Sequence, residues 1–356
     1  MRITDRSPIG TRGVEVSKLG MGTTTMGNLF QAVSDDDSDA TLRHALDQGI
    51  AHIDTAPYYG AGLAEERVGR ILKEYPRESV TVGTKVGRRL RNAEPGEHQA
   101  PEGYVDTPPR IRYWDFTGAG IRASLEESLT RLGLDSVDIL YLHDPDDFAA
   151  EALASAFPEL VKMRDEGIVG AIGCGMNQWE LLLRFVNEVP LDVILLAGRY
   201  TLLDQSGLDQ LLPLCEQQET KVVIGGAFNS GLLADPRPGS TYNYIEAPAA
   251  LVTRAQRLRD ACAEFDVPLT AAALQFPFGH HSIAGVLTGS RSEAEIAANI
   301  RSFEWSIPDD LWSHLKAEGL LPAHVPVPGS GAAGPTDLHD DLSRPVSLAT
   351  ERTPSA

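Results

Sequence analysis

Hydrophobic and polar positions alternate along the chain in blocks. The runs GIAHID, SVTVGTK, SVDILYLH, IVGAIGCG, DVILLA, KVVIGG and AGVLTG are short, largely apolar and contain β-branched residues, and LGMG precedes them. Runs of this kind predict strands buried on both faces, as in a parallel sheet. Between them lie stretches with helical spacing. DDDSDATLRHALDQG has Ser34 placed to cap its first turn and Gly49 to stop its last, and IRASLEESLTRLG closes on Gly133. Eight such strands, each followed by a helix, predict an α/β fold of the (β/α)8 TIM-barrel type.

Two intervals break the rhythm. Residues 88–116, RRLRNAEPGEHQAPEGYVDTPPRIRYWDF, form a long polar connection after the third strand, and residues 227–244, AFNSGLLADPRPGSTYNY, follow the seventh. Both are expected above the carboxyl ends of the strands, where barrel enzymes keep their sites, and long loops in compact domains are often functional. From Pro322 the chain is rich in Pro, Gly, Ser and Ala without periodicity. The expected division is therefore a barrel over 1–321 and a disordered tail over 322–356.

Composition narrows the class. A chain of 356 residues has room for one large barrel, since such barrels run to about 250 residues before insertions. No apolar run approaches the roughly 20 residues of a membrane span, and MRITDRSPIG lacks the apolar core of a signal peptide, so a soluble cytoplasmic protein is expected. Cys174, Cys215 and Cys262 lie far apart without metal-ligand spacing, which argues against a disulfide framework or a zinc site. The formal charge of −19, relieved only by the short GRRLR at 87–91, argues against nucleic acid and anionic lipid as partners. A small-molecule substrate is the expected partner.

Candidate chemistry gathers at strand ends. Asp54 ends the second strand, Tyr59 follows in its loop, Lys85 ends the third and His143 ends the fourth, so four polar groups share one rim. A phenol with a pKa near 10 is a poor acid or base at neutral pH unless a nearby ammonium stabilises its phenolate. Lys85 supplies that charge, Asp54 is placed to keep Lys85 charged against desolvation, and His143 can orient a substrate oxygen. Two rival readings stand beside this one. His52-x-Asp54 at a strand end is faintly like a metal pair, with His143 and Lys85 as further ligands, although strands five and six end in no matching cluster. A nucleotide-binding sensor on the same fold is the other, but it gives Lys85 no chemical reason to lie beneath Tyr59.

The motifs DTAPYYG with Asp54 and Tyr59, TK with Lys85 and YLHDPD with His143 resemble the catalytic tetrad of the aldo-keto reductases, in the same order over residues 10–320. The resemblance implies a (β/α)8 barrel that uses a nicotinamide cofactor without metal. It also implies Tyr59 as general acid/base, Lys85 and Asp54 as its tuners, and His143 as orienter of the carbonyl or carbinol. AIGCGMNQW, LLAGRYTLL, VIGGAFNSGLL and the YNY of 242–244 are similar to one branch of that family, the bacterial D-threo-aldose (L-fucose) 1-dehydrogenases and pyridoxal 4-dehydrogenases. That branch implies oxidation of a cyclic hemiacetal to a lactone, with NADPH-dependent reduction of aldehydes or ketones as the alternative.

The resemblance also implies a cofactor set. Gly22, Thr23 and Thr24 match a segment under the cofactor, with an ordinary strand-end turn as the other reading. Asn177 in GMNQW matches the nicotinamide-binding Asn, with a helix N-cap as the other reading. Ala197 and Gly225 stand where many relatives carry a Gln and a stacking aromatic; Phe228 is a candidate substitute from the following loop, with an apolar plug as the other reading. Gly289, Ser290, Arg291 and Asn299 in TGSRSEAEIAANI match the segment around the adenosine phosphates, and a glycine turn at a helix start suits an anion. Glu295 stands where NADP-preferring relatives carry an Arg. A carboxylate there repels a 2′-phosphate and can accept from a ribose hydroxyl, so NAD is expected, with NADP left open through Arg291. Tyr58, Trp114 and Trp179 are candidates for an aromatic wall around the substrate, with plain packing as the alternative.

Overall fold

In the computed structural model, which describes residues 1–97 and 103–329, the eight largely apolar runs form eight parallel strands. They are β1 (Leu19–Gly22), β2 (His52–Asp54), β3 (Thr81–Val86), β4 (Ile139–His143), β5 (Ala171–Met176), β6 (Val193–Ala197), β7 (Lys221–Gly225) and β8 (Ile283–Thr288). Each pairs with the next in chain order, and β8 closes on β1 with Leu287 opposite Gly20. The expected barrel is the fold that forms.

Strand residues alternate between two cores because side chains point to opposite faces of a strand. Ile53, Leu140, Leu142, Ile172 and Ile194 pack outward against the helices, whereas Ile139, Tyr141, Ala171, Val193, Leu195 and Val223 fill the interior. A hairpin of Arg6–Ile9 and Val14–Ser17 sends Ile9, Val14 and Val16 into the interior cluster and plugs the amino end of the barrel. Glycines make room inside. A Cβ on Gly173 would lie 2.2 Å from the Val193 carbonyl oxygen and 2.9 Å from the ring of Tyr141, which is fully buried.

The helix caps follow the sequence. Ser34 accepts from the Asp37 N–H at 3.0 Å at the start of helix Asp35–Asp47. Helix Gly118–Leu132 ends on Gly133 at φ 63°, the left-handed cap that glycine adopts without strain. Helices Leu269–Gln275 and Asp309–Ala317 extend the outer layer. Cys174, Cys215 and Cys262 are buried free thiols. No helix of the described residues is long and apolar enough to cross a membrane.

The two long connections are more regular than their composition suggests. After β3, Arg88–Asn92 and Arg110–Trp114 form an antiparallel ribbon with Arg88 opposite Trp114, standing on the barrel rim. Charges on both faces conceal the strand pattern there. After β7, Thr241–Tyr242 pairs with Ile245–Glu246 across Asn243 and Tyr244, both left-handed at φ 50° and 66°. Beyond Pro322 the chain stays packed through residue 329. Val325 and Val327 are buried, and Gly279 lies so close that a Cβ there would be 2.5 Å from the Pro326 carbonyl oxygen. Just beyond 321, valines between the prolines thus pack against the barrel's side. Residues 330–356 of the expected tail lie outside the described residues.

Gly173→Ala tests the interior packing. Its methyl meets the β6 backbone and the Tyr141 ring, so denaturant unfolding should show a loss of about 1–3 kcal/mol. An unchanged midpoint would mean that β6 can move away without cost.

Candidate active site

Asp54 is the last residue of β2 and lies between Gly22 and Gly83 in register. Lys85 on β3 donates to Asp54 Oδ2 at 2.6 Å and to the Thr55 carbonyl oxygen at 2.9 Å. The two side chains are only 2% and 3% exposed. Burial of this depth penalises either charge alone, so each keeps the other in place. Burial lifts the Asp54 carboxyl above its usual value, and the charge and hydrogen bond of Lys85 pull it back. The lysine stem passes beside Gly175, where a Cβ would lie 3.7 Å from Lys85 Cε, in ordinary contact.

Tyr59 is set by a backbone contact between two glycines. A Cβ on Gly27 would fall 2.6 Å from the Tyr59 carbonyl carbon, and one on Gly60 would fall 2.4 Å from the Gly27 carbonyl oxygen. With the loop pressed against this point, the Lys85 ammonium sits 4.6 Å from the centroid of the Tyr59 ring. The Tyr59 and His143 rings meet edge to face at 5.8 Å. Burial, and then the charge of Asp54, raise the Tyr59 phenol well above its ordinary value, while a side-chain hydrogen bond with Thr24 lowers it. At neutral pH Tyr59 is therefore a hydroxyl. The downward pull expected from Lys85 does not prevail against burial in this state of the site.

His143 ends β4 opposite Gly175. Burial holds it well below its ordinary value, and the nearby cations Arg88, Lys85 and Arg112 add to that effect, so the imidazole is neutral. Its Nδ1 has no partner among the described residues. A neutral imidazole offers one donor and one acceptor, which suits a substrate oxygen.

The four residues meet a single cavity of about 560 Å³, reached by Tyr59, Lys85 and His143 and backed by Asp54. Thr24, Tyr58, Asn177 and Ala197 line it, as do Phe30, Arg88, Tyr104, Asp144, Asp146 and Tyr244, which the strand-end pattern did not mark. Phe30 from the β1 loop and Tyr244 from the β7 loop meet across the mouth with ring centroids 6.1 Å apart. The β1 loop is pinned by Arg67, a buried side chain that donates to the Met26 and Val33 carbonyl oxygens and to Asn28 Oδ1. Trp114 does not line the cavity: it is 42% exposed and its ring lies 4.4 Å from the Arg88 guanidinium, which takes the inner place. Trp179 and Phe228 pack against the barrel core, as plain packing predicts.

The expected cofactor residues divide into two groups. Thr23 is buried and donates twice to the Asp54 carbonyl oxygen, from N–H at 3.0 Å and Oγ1 at 3.1 Å, so it supports the acid from behind. Gly22 ends β1 beside it. Asn177 is not a helix cap, because Gln178 holds that position. Its side chain makes no hydrogen bond among the described residues and stands at the cavity edge, where an amide fits a nicotinamide carboxamide. Ser290 and Asn299 are joined at 3.1 Å, and Ser292 caps helix Glu293–Phe303. Glu295 accepts from the Arg291 N–H at 2.8 Å, and Arg291 Nη2 donates to the Leu29 carbonyl oxygen at 3.4 Å, tying the β8 turn with Gly289 to the β1 loop. Gly225 ends β7 beside Ala197. His52 is fully buried, pushed down to about 3 by burial and Lys85, and faces Gly20 inside the barrel. Among the described residues no three His, Cys, Asp or Glu side chains gather as a metal site requires.

Replacing Lys85 by Met leaves Asp54 buried without its cation. Denaturant unfolding should show a loss of about 3–5 kcal/mol, most of it recovered in the Lys85→Met/Asp54→Asn double variant. A single variant as stable as wild type would contradict this coupling.

Comparison with known proteins agrees with this geometry. The family model described as Aldo/keto reductase family matches residues 18–318. A D-threo-aldose 1-dehydrogenase of a Pseudomonas species is 44% identical over 320 residues, spanning 87% of this chain and 96% of the relative. A pyridoxal 4-dehydrogenase of Microbacterium luteolum is 37% identical over 340 residues, spanning 90% and 99%. Among solved structures, an aldo-keto reductase of Bacillus halodurans in its holo form superposes with a TM-score of 0.71 at 26% identity, covering 90% of this chain and 98% of that one. A tetrad-bearing rim, a family match over most of the barrel and two full-length relatives above the level of chance lead to one conclusion: the chain belongs to the aldo/keto reductase family of nicotinamide-dependent oxidoreductases.

Proposed function

We propose that the protein oxidises a cyclic hemiacetal to a lactone, with Tyr59 as the proton acceptor. The observation that carries this reading is the meeting of Tyr59, Lys85 and His143 at one cavity, with Asp54 bound behind Lys85. Two of its relatives are named for an aldose and for pyridoxal, and both compounds have cyclic hemiacetal forms. The nicotinamide cofactor supplies the hydride acceptor. His143, neutral and with an open nitrogen, holds the reacting oxygen. Tyr59 takes the proton of the anomeric hydroxyl as the C–O bond becomes a carbonyl, and Lys85 stabilises the phenolate that this transfer requires. Asp54 keeps the ammonium in position without facing the substrate.

The reading favours NAD. Glu295 occupies the Arg291 N–H with its carboxylate and adds negative charge at the start of helix Glu293–Phe303, where a 2′-phosphate would be repelled. One observation supports a second reading, aldehyde reduction: Tyr59 with a raised pKa is a proton donor at neutral pH.

Tyr59→Phe should lower turnover by at least about 100-fold while NAD binding, read by quenching of protein fluorescence, stays within a few-fold of wild type. An active variant would remove the acid/base role. A screen of L-fucose, D-arabinose and pyridoxal with NAD and with NADP, followed at the nicotinamide absorbance, should give turnover with NAD. Brisk aldehyde reduction with no hemiacetal oxidised would favour the second reading.

The pH profile has a defined sign. Because the Tyr59 pKa is raised, its proton-accepting form grows only as pH climbs towards and past about 10, the ordinary phenol value. Oxidation should therefore rise with pH, and aldehyde reduction should fall over the same range. His143 is held below its ordinary value, so no break should appear near about 6.5. A bell with an acid limb there would mean that His143 titrates in the working enzyme.

A further inference from the structure

Beside the four-residue set, the cavity holds an ion pair that hydride transfer does not require. Asp144 directly follows His143 and is left-handed, at φ 40°. That backbone costs a non-glycine residue roughly 1–3 kcal/mol, a strain that concentrates at functional sites. The fold holds it there through the Asp144 N–H, which donates to the Gly175 carbonyl oxygen at 3.0 Å. The turn brings the carboxylate into the cavity wall, with Oδ2 3.6 Å from His143 Nε2.

Arg88 fixes the carboxylate. Its Nη2 donates to Asp144 Oδ2 at 2.5 Å, and its guanidinium contacts the rings of both Tyr58 and Trp114, 4.4 Å from each centroid. Trp114 is itself stacked on Phe116 at 5.6 Å. A guanidinium held by two aromatic rings and a carboxylate has little freedom. Asp144 Oδ1 makes no hydrogen bond among the described residues and remains accessible at the wall. A rigid carboxylate oxygen next to the histidine that meets the reacting oxygen is an acceptor for a hydroxyl on the neighbouring ring carbon.

Charge narrows the ligand. Among the described residues the two cations that line the cavity are paired, Lys85 with Asp54 and Arg88 with Asp144, Arg112 lies against the ring of Tyr58, and Asp146 adds a further carboxylate. An anionic substrate gains no unpaired cation there and meets acceptor oxygens. A neutral ring with several hydroxyls can donate to them while its C–H face lies against Tyr58 or Tyr244.

We infer that Asp144, held by Arg88, selects a neutral polyhydroxylated hemiacetal over a hydroxyl-poor one by accepting a hydrogen bond from a hydroxyl beside the reacting carbon. The inference rests on the hemiacetal reading and deepens it. L-Fucose and pyridoxal are suitable probes, because both are oxidised at a hemiacetal carbon and they differ in ring hydroxyls.

In the full-length protein with NAD, the wild type should favour L-fucose or D-arabinose over pyridoxal in kcat/KM. Asp144→Asn should shrink that preference by at least about 10-fold, mainly through the KM of the sugar, as expected when a site built for a hydroxyl loses its acceptor. Arg88→Met should shift the ratio in the same direction. Equal losses on both substrates, or none, would overturn the inference, as would a wild type that oxidises pyridoxal but no aldose, which leaves the hemiacetal reading standing. A wild type that oxidises neither would sink the hemiacetal reading itself. Should Asp144→Asn not fold, aldoses lacking single ring hydroxyls decide the matter on the wild type. One deoxy position should cost about 10-fold, and uniform rates would overturn the proposal.

Discussion

Two opposite charges, Lys85 and Asp54, are shut inside a barrel with their side chains almost entirely out of solvent, and much of the site follows from keeping them together. Neither charge is tolerable there alone. Thr23 holds the Asp54 backbone from β1, and Thr55 gives Lys85 its second acceptor. The pair then presents one ammonium to the face of one phenol. Burial and then Asp54 raise the phenol's pKa and the hydrogen bond with Thr24 lowers it, while an ammonium 4.6 Å from the ring favours the phenolate on general electrostatic grounds. The site therefore holds the Tyr59 proton firmly at neutral pH.

The rest of the cavity is assembled from loops whose conformations are costly. Phe30, Asp144 and Tyr244 are all left-handed non-glycine residues, and all three line the cavity. Such residues persist only where the surroundings over-determine them. Here those surroundings are identifiable: Arg67 pins the β1 loop, the Gly175 carbonyl takes the Asp144 N–H, and a two-residue turn presents Tyr244. Rigid strands set the catalytic candidates, and strained loops set what reaches them.

The barrel was legible because each strand is apolar on both faces, a pattern that water-facing strands do not show. Asp54, Lys85 and His143 were legible because a polar residue ending such a run stands out, and Tyr59 because its motif follows directly. The ribbon of Arg88–Asn92 and Arg110–Trp114 was hidden, since charges on both faces erase strand alternation. Which of its residues face the cavity is hidden for the same reason. Trp114 attracts attention as an aromatic, yet Arg88 lines the cavity and Trp114 covers it. Asp144 was overlooked beside His143 because nothing in a strand pattern announces a left-handed turn at an aspartate. The hairpin plug and the buried Val325 and Val327 depend on contacts distant in sequence, which periodicity does not encode.

The central claim is that the Lys85 ammonium governs ionisation of the Tyr59 phenol. Ultraviolet difference titration of tyrosinate isolates that phenol when each protein is compared with its own Tyr59→Phe counterpart, once with Lys85 present and once in the Lys85→Met/Asp54→Asn background. The account predicts that Tyr59 ionises at a distinctly lower pH when Lys85 and Asp54 are in place than when the neutral pair replaces them. Coincident titration curves in the two backgrounds would contradict it.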